Sequence, residues 1–128
     1  MICPCNTLIS YELCCGQVHK SIFNAKTAED LMRSRYTAFV FNLMDYLKSS
    51  HSNKTVKYFN FKETTQWTKS VSWIKLEIIE TINGSEFDNE GYVEFKAYFK
   101  ENGKIDCIHG KSRFLKQNNH WVYLDEIN

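Results

Sequence analysis

Cys3 and Cys5 flank a single proline, and Cys14 and Cys15 follow after eight intervening residues, immediately before Gly16. Four thiolates offered from two turns can close one tetrahedral shell, with metal–sulfur bonds of about 2.3 Å for zinc. A sulfur-only set suits zinc, copper(I) or an iron–sulfur cluster. The spacing matches none of the common ferredoxin runs, so zinc is the expected ion. The competing use of clustered cysteines is a disulfide framework, which persists in oxidising compartments. Residues 1–8 carry neither the basic nor the apolar region of a secretory signal. No run approaches the roughly 20 apolar residues that cross a bilayer. The chain therefore reads as cytosolic, with no membrane partner, and its clustered cysteines as metal ligands. Four thiolates leave no position for water or substrate, so the one zinc ion is expected to be structural.

The elements that must hold these thiols are legible from composition and periodicity. The chain has 128 residues, of which 43% are hydrophobic, with nine Phe, seven Tyr and three Trp. That is enough for one packed core and argues against disorder. The formal charge is +1, and four thiolates around a divalent ion bring it to −1. Neither value has the basic bias of a general nucleic-acid binder, so nucleic acid is not an expected partner. Thr27, with Asp30 three residues on, marks a helix start. Apolar residues at Leu31, Met32, Tyr36, Phe39, Val40, Leu43 and Leu47 then predict one long helix ending near residues 49–51. Asn60 with Glu63 opens a second helix, through about Lys69. The period then changes to two. Ile74, Leu76 and Ile78 form one apolar face, and Val93, Phe95, Ala97 and Phe99 another. Asn83-Gly84, Asn102-Gly103 and Asn118-Asn119 supply turns, and further strands are predicted over about 104–115 and 120–126. Helices followed by an antiparallel meander predict an α+β fold with helices on one sheet face.

The run Ala28-Glu29-Asp30-Leu31-Met32-Arg33-Ser34-Arg35-Tyr36-Thr37-Ala38-Phe39 resembles the hallmark stretch of the bacterial YchJ-like proteins. Ser112-Arg113-Phe114-Leu115 and Trp121-Val122-Tyr123-Leu124-Asp125 resemble that family's final hairpin, and the cysteine segment resembles its opening SEC-C motif. The resemblance implies a zinc motif over residues 1–20. It also implies a cone-shaped domain over 21–128, similar to nuclear transport factor 2 and to cystatins. In that fold a curved antiparallel sheet wraps helices and leaves a pocket in its concavity. It implies zinc on Cys3, Cys5, Cys14 and Cys15, and no settled activity. Three departures stand out. SEC-C motifs usually carry Gly-Ser-Gly after the second cysteine, where this chain has Asn6-Thr7-Leu8. Lysines usually follow, where this chain has Ile9-Ser10-Tyr11-Glu12. Relatives often show His-Glu where this chain has His109-Gly110.

Residues that could serve the pocket are Arg35, Tyr36, Trp73, Glu94, Tyr98, His109 and Trp121. An anion-binding guanidinium is one use of Arg35; a buried pairing with a strand carboxylate such as Glu94 is the plainer one. If Ile108 and Phe114 face the core, His109 and Arg113 face away from it, which weighs against catalysis by His109. The fifth cysteine, Cys107, is expected to be a small structural hydrophobe. The apolar faces of helix and sheet all follow Thr27, so the cysteine segment is expected to be separable from the main fold. The expected role is a binding or adaptor module with structural zinc, a protein partner beside the zinc motif and a small molecule in the pocket. The alternative is an enzyme of hydrolase, isomerase or dehydratase type that uses the concave pocket.

Overall fold

The structure, a computed structural model, describes residues 1–127. Four helices, α1 (Cys15–Lys20), α2 (Ala28–Phe41), α3 (Met44–Ser49) and α4 (Phe61–Ser70), precede four strands. These are β1 (Ser72–Asn83), β2 (Glu90–Glu101), β3 (Lys104–Gln117) and β4 (His120–Glu126). The strands pair antiparallel in the order β1-β2-β3-β4. α2 packs against β1, β2 and β4, so the sheet wraps the helix. At its centre Leu31 of α2 is buried with Val93, Phe114 and Trp121 of the sheet.

The local signals act as their chemistry dictates. Thr27 Oγ1 accepts the Asp30 amide at 3.0 Å, and Asn60 Oδ1 accepts the Glu63 amide at 3.0 Å. Asn102 and Gly103 sit at φ 53° and 79°, and Asn118 and Asn119 at 54° and 67°. Positive φ at both central residues gives hairpin turns whose twist matches the strands.

Two expectations are corrected. The long helix breaks at Asn42, which adopts φ 58° while the Leu43 amide returns to Ala38 O at 2.8 Å. Asn tolerates this left-handed cap better than other non-glycine residues. α3 then turns back and brings Leu47 and Ser50 onto Arg35. In β1, Ile74 was expected inward beside Leu76 and Ile78. A bulge between Trp73 and Lys75 makes Ile74 the extra residue, leaving it exposed and Trp73 half-buried against the core.

The cysteine segment packs into the domain. Cys3, Cys5 and Cys15 belong to the same buried cluster as Val18, Leu31, Tyr36 and Phe114. Asn6 Oδ1 accepts the Leu76 amide of edge strand β1 at 2.7 Å, and Arg33 Nη1 donates to Cys5 O at 2.6 Å.

Candidate metal centre and adjoining cavity

A short antiparallel clasp builds the first half of the metal centre. The Cys3 amide donates to Ile9 O at 2.8 Å and the Tyr11 amide to Met1 O at 2.9 Å. The intervening loop turns through Asn6 at φ 70° and Leu8 at φ 66°. These are the two positions where the related motif carries glycine, so the backbone demand persists without the residue that meets it most easily. Leu8 is 78% exposed and gains no packing in return. Leu8→Gly should therefore stabilise the folded protein by roughly 0.5–1 kcal/mol, because relief of left-handed strain outweighs the added freedom of the unfolded chain. Chemical denaturation of the metal-loaded protein reads this directly.

The second half sits where the chain enters α1. Cys14 is the residue before the helix and Cys15 its first. Gly16 lies against the Tyr11 carbonyl, where a Cβ would come within 2.6 Å. A side chain at this position would push α1 off the clasp.

The four Sγ atoms lie within 4.8 Å of one another, with Cys5 and Cys14 at 3.6 Å. Sulfurs in a tetrahedron of 2.3 Å bonds stand about 3.8 Å apart, so the donor set fits one zinc-sized ion. All four are free thiols, three of them buried. The sulfurs share their protons unequally. Cys5 is pulled down, first by the hydrogen bond from Cys15 and then by Thr7 and Cys14. Cys15 is pushed up, first by donating to Cys5 and then by burial. Two hydroxyls missed from the sequence complete the surroundings. Thr7 Oγ1 lies 3.1 Å from Cys14 Sγ, and Thr37 Oγ1 donates to Cys15 Sγ at 3.3 Å and lies 3.7 Å from Cys3 Sγ. Such outer contacts orient ligands.

α2 joins this centre to a cavity. Successive helical residues point about 100° apart, so one stretch serves two sites. Arg33 and Thr37 reach the cysteine segment, whereas Arg35 and Tyr36 line a cavity of about 540 Å³ between α2, α4 and the sheet. Its walls are largely aromatic, from Phe39, Trp67, Trp73 and Phe95. Arg35 is buried and has no carboxylate partner among the described residues. Its Nη1 donates to Leu47 O at 2.9 Å and Ser50 Oγ at 2.6 Å, and its guanidinium lies 4.7 Å from the centre of the Tyr123 ring. Burial lowers its pKa to about 10, so it stays charged.

The expected pocket residues divide. Arg35, Tyr36, Trp73 and His109 border the cavity, and Glu94, Tyr98 and Trp121 do not. Glu94 and Tyr98 alternate with the inward Val93, Phe95, Ala97 and Phe99, which places them on the outer face. Glu94 Oε2 meets His109 Nε2 there at 2.7 Å, so it pairs with His109 and not with Arg35. Trp121 is core, with Nε1 donating to Lys26 O. Cys107 is half-buried opposite Tyr98 on the same outer face, and the neighbouring imidazole is occupied by Glu94.

His51 lies beside Tyr123 and Phe59, almost fully buried, with Nδ1 unpartnered among the described residues. Burial, and then the positive Arg35, lower its pKa to about 4. Above the ordinary histidine value near 6.5 both folded and unfolded chains hold it neutral. Between about 6.5 and 4 only the unfolded chain takes the proton, so stability falls as pH falls through that window. An NMR titration should show the His51 ring unprotonated at pH 5.5 in the folded protein; protonation near 6.5 would contradict this assignment.

Comparison with known proteins agrees with this architecture. The YchJ middle nuclear transport factor 2-like domain family matches residues 27–126. A UPF0225 protein of Vibrio parahaemolyticus is 40% identical over 124 residues, covering 96% of this chain and 72% of that protein. Another from Photorhabdus laumondii is 40% identical over 129 residues, covering 98% and 80%. The solution structure of a SEC-C motif protein from Rhodopseudomonas palustris superposes with a TM-score of 0.88 at 26% identity, covering 99% and 98% of the two chains. The crystal structure of a SEC-C motif protein from Psychrobacter arcticus gives 0.81 at 30% identity, covering 98% and 81%. No helix among the described residues is long and apolar enough to cross a membrane. With a cysteine cluster compatible with zinc ahead of a four-stranded sheet wrapped on helices, the chain belongs to the YchJ-like family.

Proposed function

We propose that this chain is a zinc-stabilised binding module, in which one structural zinc on Cys3, Cys5, Cys14 and Cys15 fixes the amino-terminal segment onto the domain. The observation that carries this reading is the closed set of four sulfurs within 4.8 Å, three of them buried in the domain's own core. A filled thiolate shell gives no site for activating water. Its free thiols suit a reducing compartment, which supports a cytosolic location. The division near residue 20 is then a boundary of sequence motif and not of folding.

Binding is favoured over catalysis by the placement of titratable groups. His109 borders the cavity, but its ring nitrogen Nε2 is taken by Glu94 Oε2 on the outer face of the sheet at 2.7 Å. Beside the metal centre Leu8, Ile9 and Leu13 are exposed, which suits a protein partner at the zinc motif. Elemental analysis of protein prepared without chelator should give one zinc per chain, and Cys5→Ser should abolish it. Intact disulfides among these four cysteines in protein from reducing cytosol would contradict the reading.

A further inference from the structure

The polar lining of the cavity pairs a buried cation with one exposed carboxylate, Glu126. Arg35 is only 4% exposed yet borders the lumen. Its Nη1 is taken by Leu47 O and Ser50 Oγ, while Nε and Nη2 have no acceptor among the described residues. No carboxylate among the described residues lies within 4.0 Å of the guanidinium. A buried cation without a counter-ion is costly, and its neutral partners compensate only in part. Trp73 walls the same lumen with its ring, while its indole Nε1 is shut away from that space with no acceptor among the described residues. Tyr36 adds a phenol that burial keeps protonated and that likewise has no hydrogen-bond partner among the described residues. The Nε–Nη2 edge of Arg35 and the Tyr36 phenol therefore offer donors to one space and lack acceptors among the described residues.

The rest of the wall selects the body of the occupant. Trp67 and Trp73 stand edge to face with ring centres 5.6 Å apart, and Tyr36 meets Trp73 at 5.7 Å. Aromatic walls of this kind take flat apolar groups. About 540 Å³ lies within the usual range for small-ligand sites. Charge limits the anion. One guanidinium faces the lumen, and the exposed Glu126 carboxylate also borders it, held by Ser112 Oγ at 2.7 Å and Tyr123 Oη at 3.1 Å. That balance favours a single negative charge over a phosphate dianion. Gly110 keeps the wall open, since a Cβ there would meet Glu126 Oε2 at 2.8 Å and the Phe95 ring at 3.2 Å.

We infer that this cavity binds a small, flat aromatic monocarboxylate, its carboxylate on the free Nε–Nη2 edge of Arg35 and its ring against the tryptophans. The side-on fork of a guanidinium matches a carboxylate in two parallel hydrogen bonds. The inference rests on the binding-module reading above but not on the identity of the metal.

The test is calorimetric titration of the full zinc-loaded chain with 2-naphthylacetate and with its amide, 2-naphthylacetamide, on samples whose metal content is measured. The acid should bind about tenfold or more tightly than the amide, as a charge-assisted pair implies. Glu126→Gln, at an exposed position, should tighten the acid by roughly two- to fivefold and leave the amide unchanged, because it removes one unfavourable charge. Arg35→Gln should erase the preference. Arg35 also ties α3 to α2, so if that variant does not fold, the acid-to-amide ratio and Glu126→Gln decide the matter. Equal binding of acid and amide, or no binding of either by fully metal-loaded protein, overturns the inference. Preferential acid binding by protein that carries no zinc would uphold it while removing the metal reading instead.

Discussion

Removing the metal is expected to lower the melting temperature of the whole chain by about 10 °C or more, in a single transition. The magnitude follows because the binding energy of a structural zinc is folding energy, and each kcal/mol lost shifts a domain of this size by several degrees. The single transition follows from the packing. Cys3, Cys5 and Cys15 are buried in the cluster that holds Leu31, Tyr36 and Phe114, and Thr37 of α2 touches two of the sulfurs. Without the ion these thiolates become buried charges with no cation, or take up protons they would otherwise release. Either change loosens α2, on which the sheet packs. Scanning calorimetry with and without chelator, and of Cys5→Ser, checks this. A separate early transition, with the main one unmoved, would show that the segment folds apart from the domain.

Trp121→Ala is expected to cost about 3–5 kcal/mol, the range for truncating a fully buried large aromatic. Trp121 is 1% exposed and its Nε1 donates to Lys26 O just before α2. The substitution therefore opens a void in the core and frees a carbonyl at the entry to the helix. Were Trp121 a pocket residue, the change would cost little stability and act on ligand binding alone. Denaturant titration of the variant separates these outcomes.

The contrast between Trp121 and Trp73 shows what the sequence conveys. Both are tryptophans named as possible pocket residues, and nothing local separates them. Trp121 falls opposite Lys116 in an even register, whereas Trp73 sits at a bulge that the apolar pattern of Ile74, Leu76 and Ile78 conceals. Signals confined to a few residues are legible: the cysteine spacing, the Thr27 and Asn60 caps, the Asn-Gly and Asn-Asn turns. Strand alternation with Val93 and Phe95 turns Glu94 and Tyr98 outward, against the expectation that they serve the pocket. The partners of Arg35 were not. They come from a helix that reverses at Asn42, and from Tyr123 at the far end of the chain. Contacts of that kind depend on where the chain turns, and one left-handed asparagine within an otherwise helical pattern gives little warning.

A closed, structural shell of four thiolates has a direct signature in X-ray absorption at the zinc edge. Four sulfur scatterers at about 2.3 Å are expected, with no nitrogen or oxygen in the first shell. A first shell with three or fewer sulfurs would contradict this: an oxygen near 2.0–2.1 Å would mark a position open to water, and a nitrogen would mark a closed shell with a different ligand set.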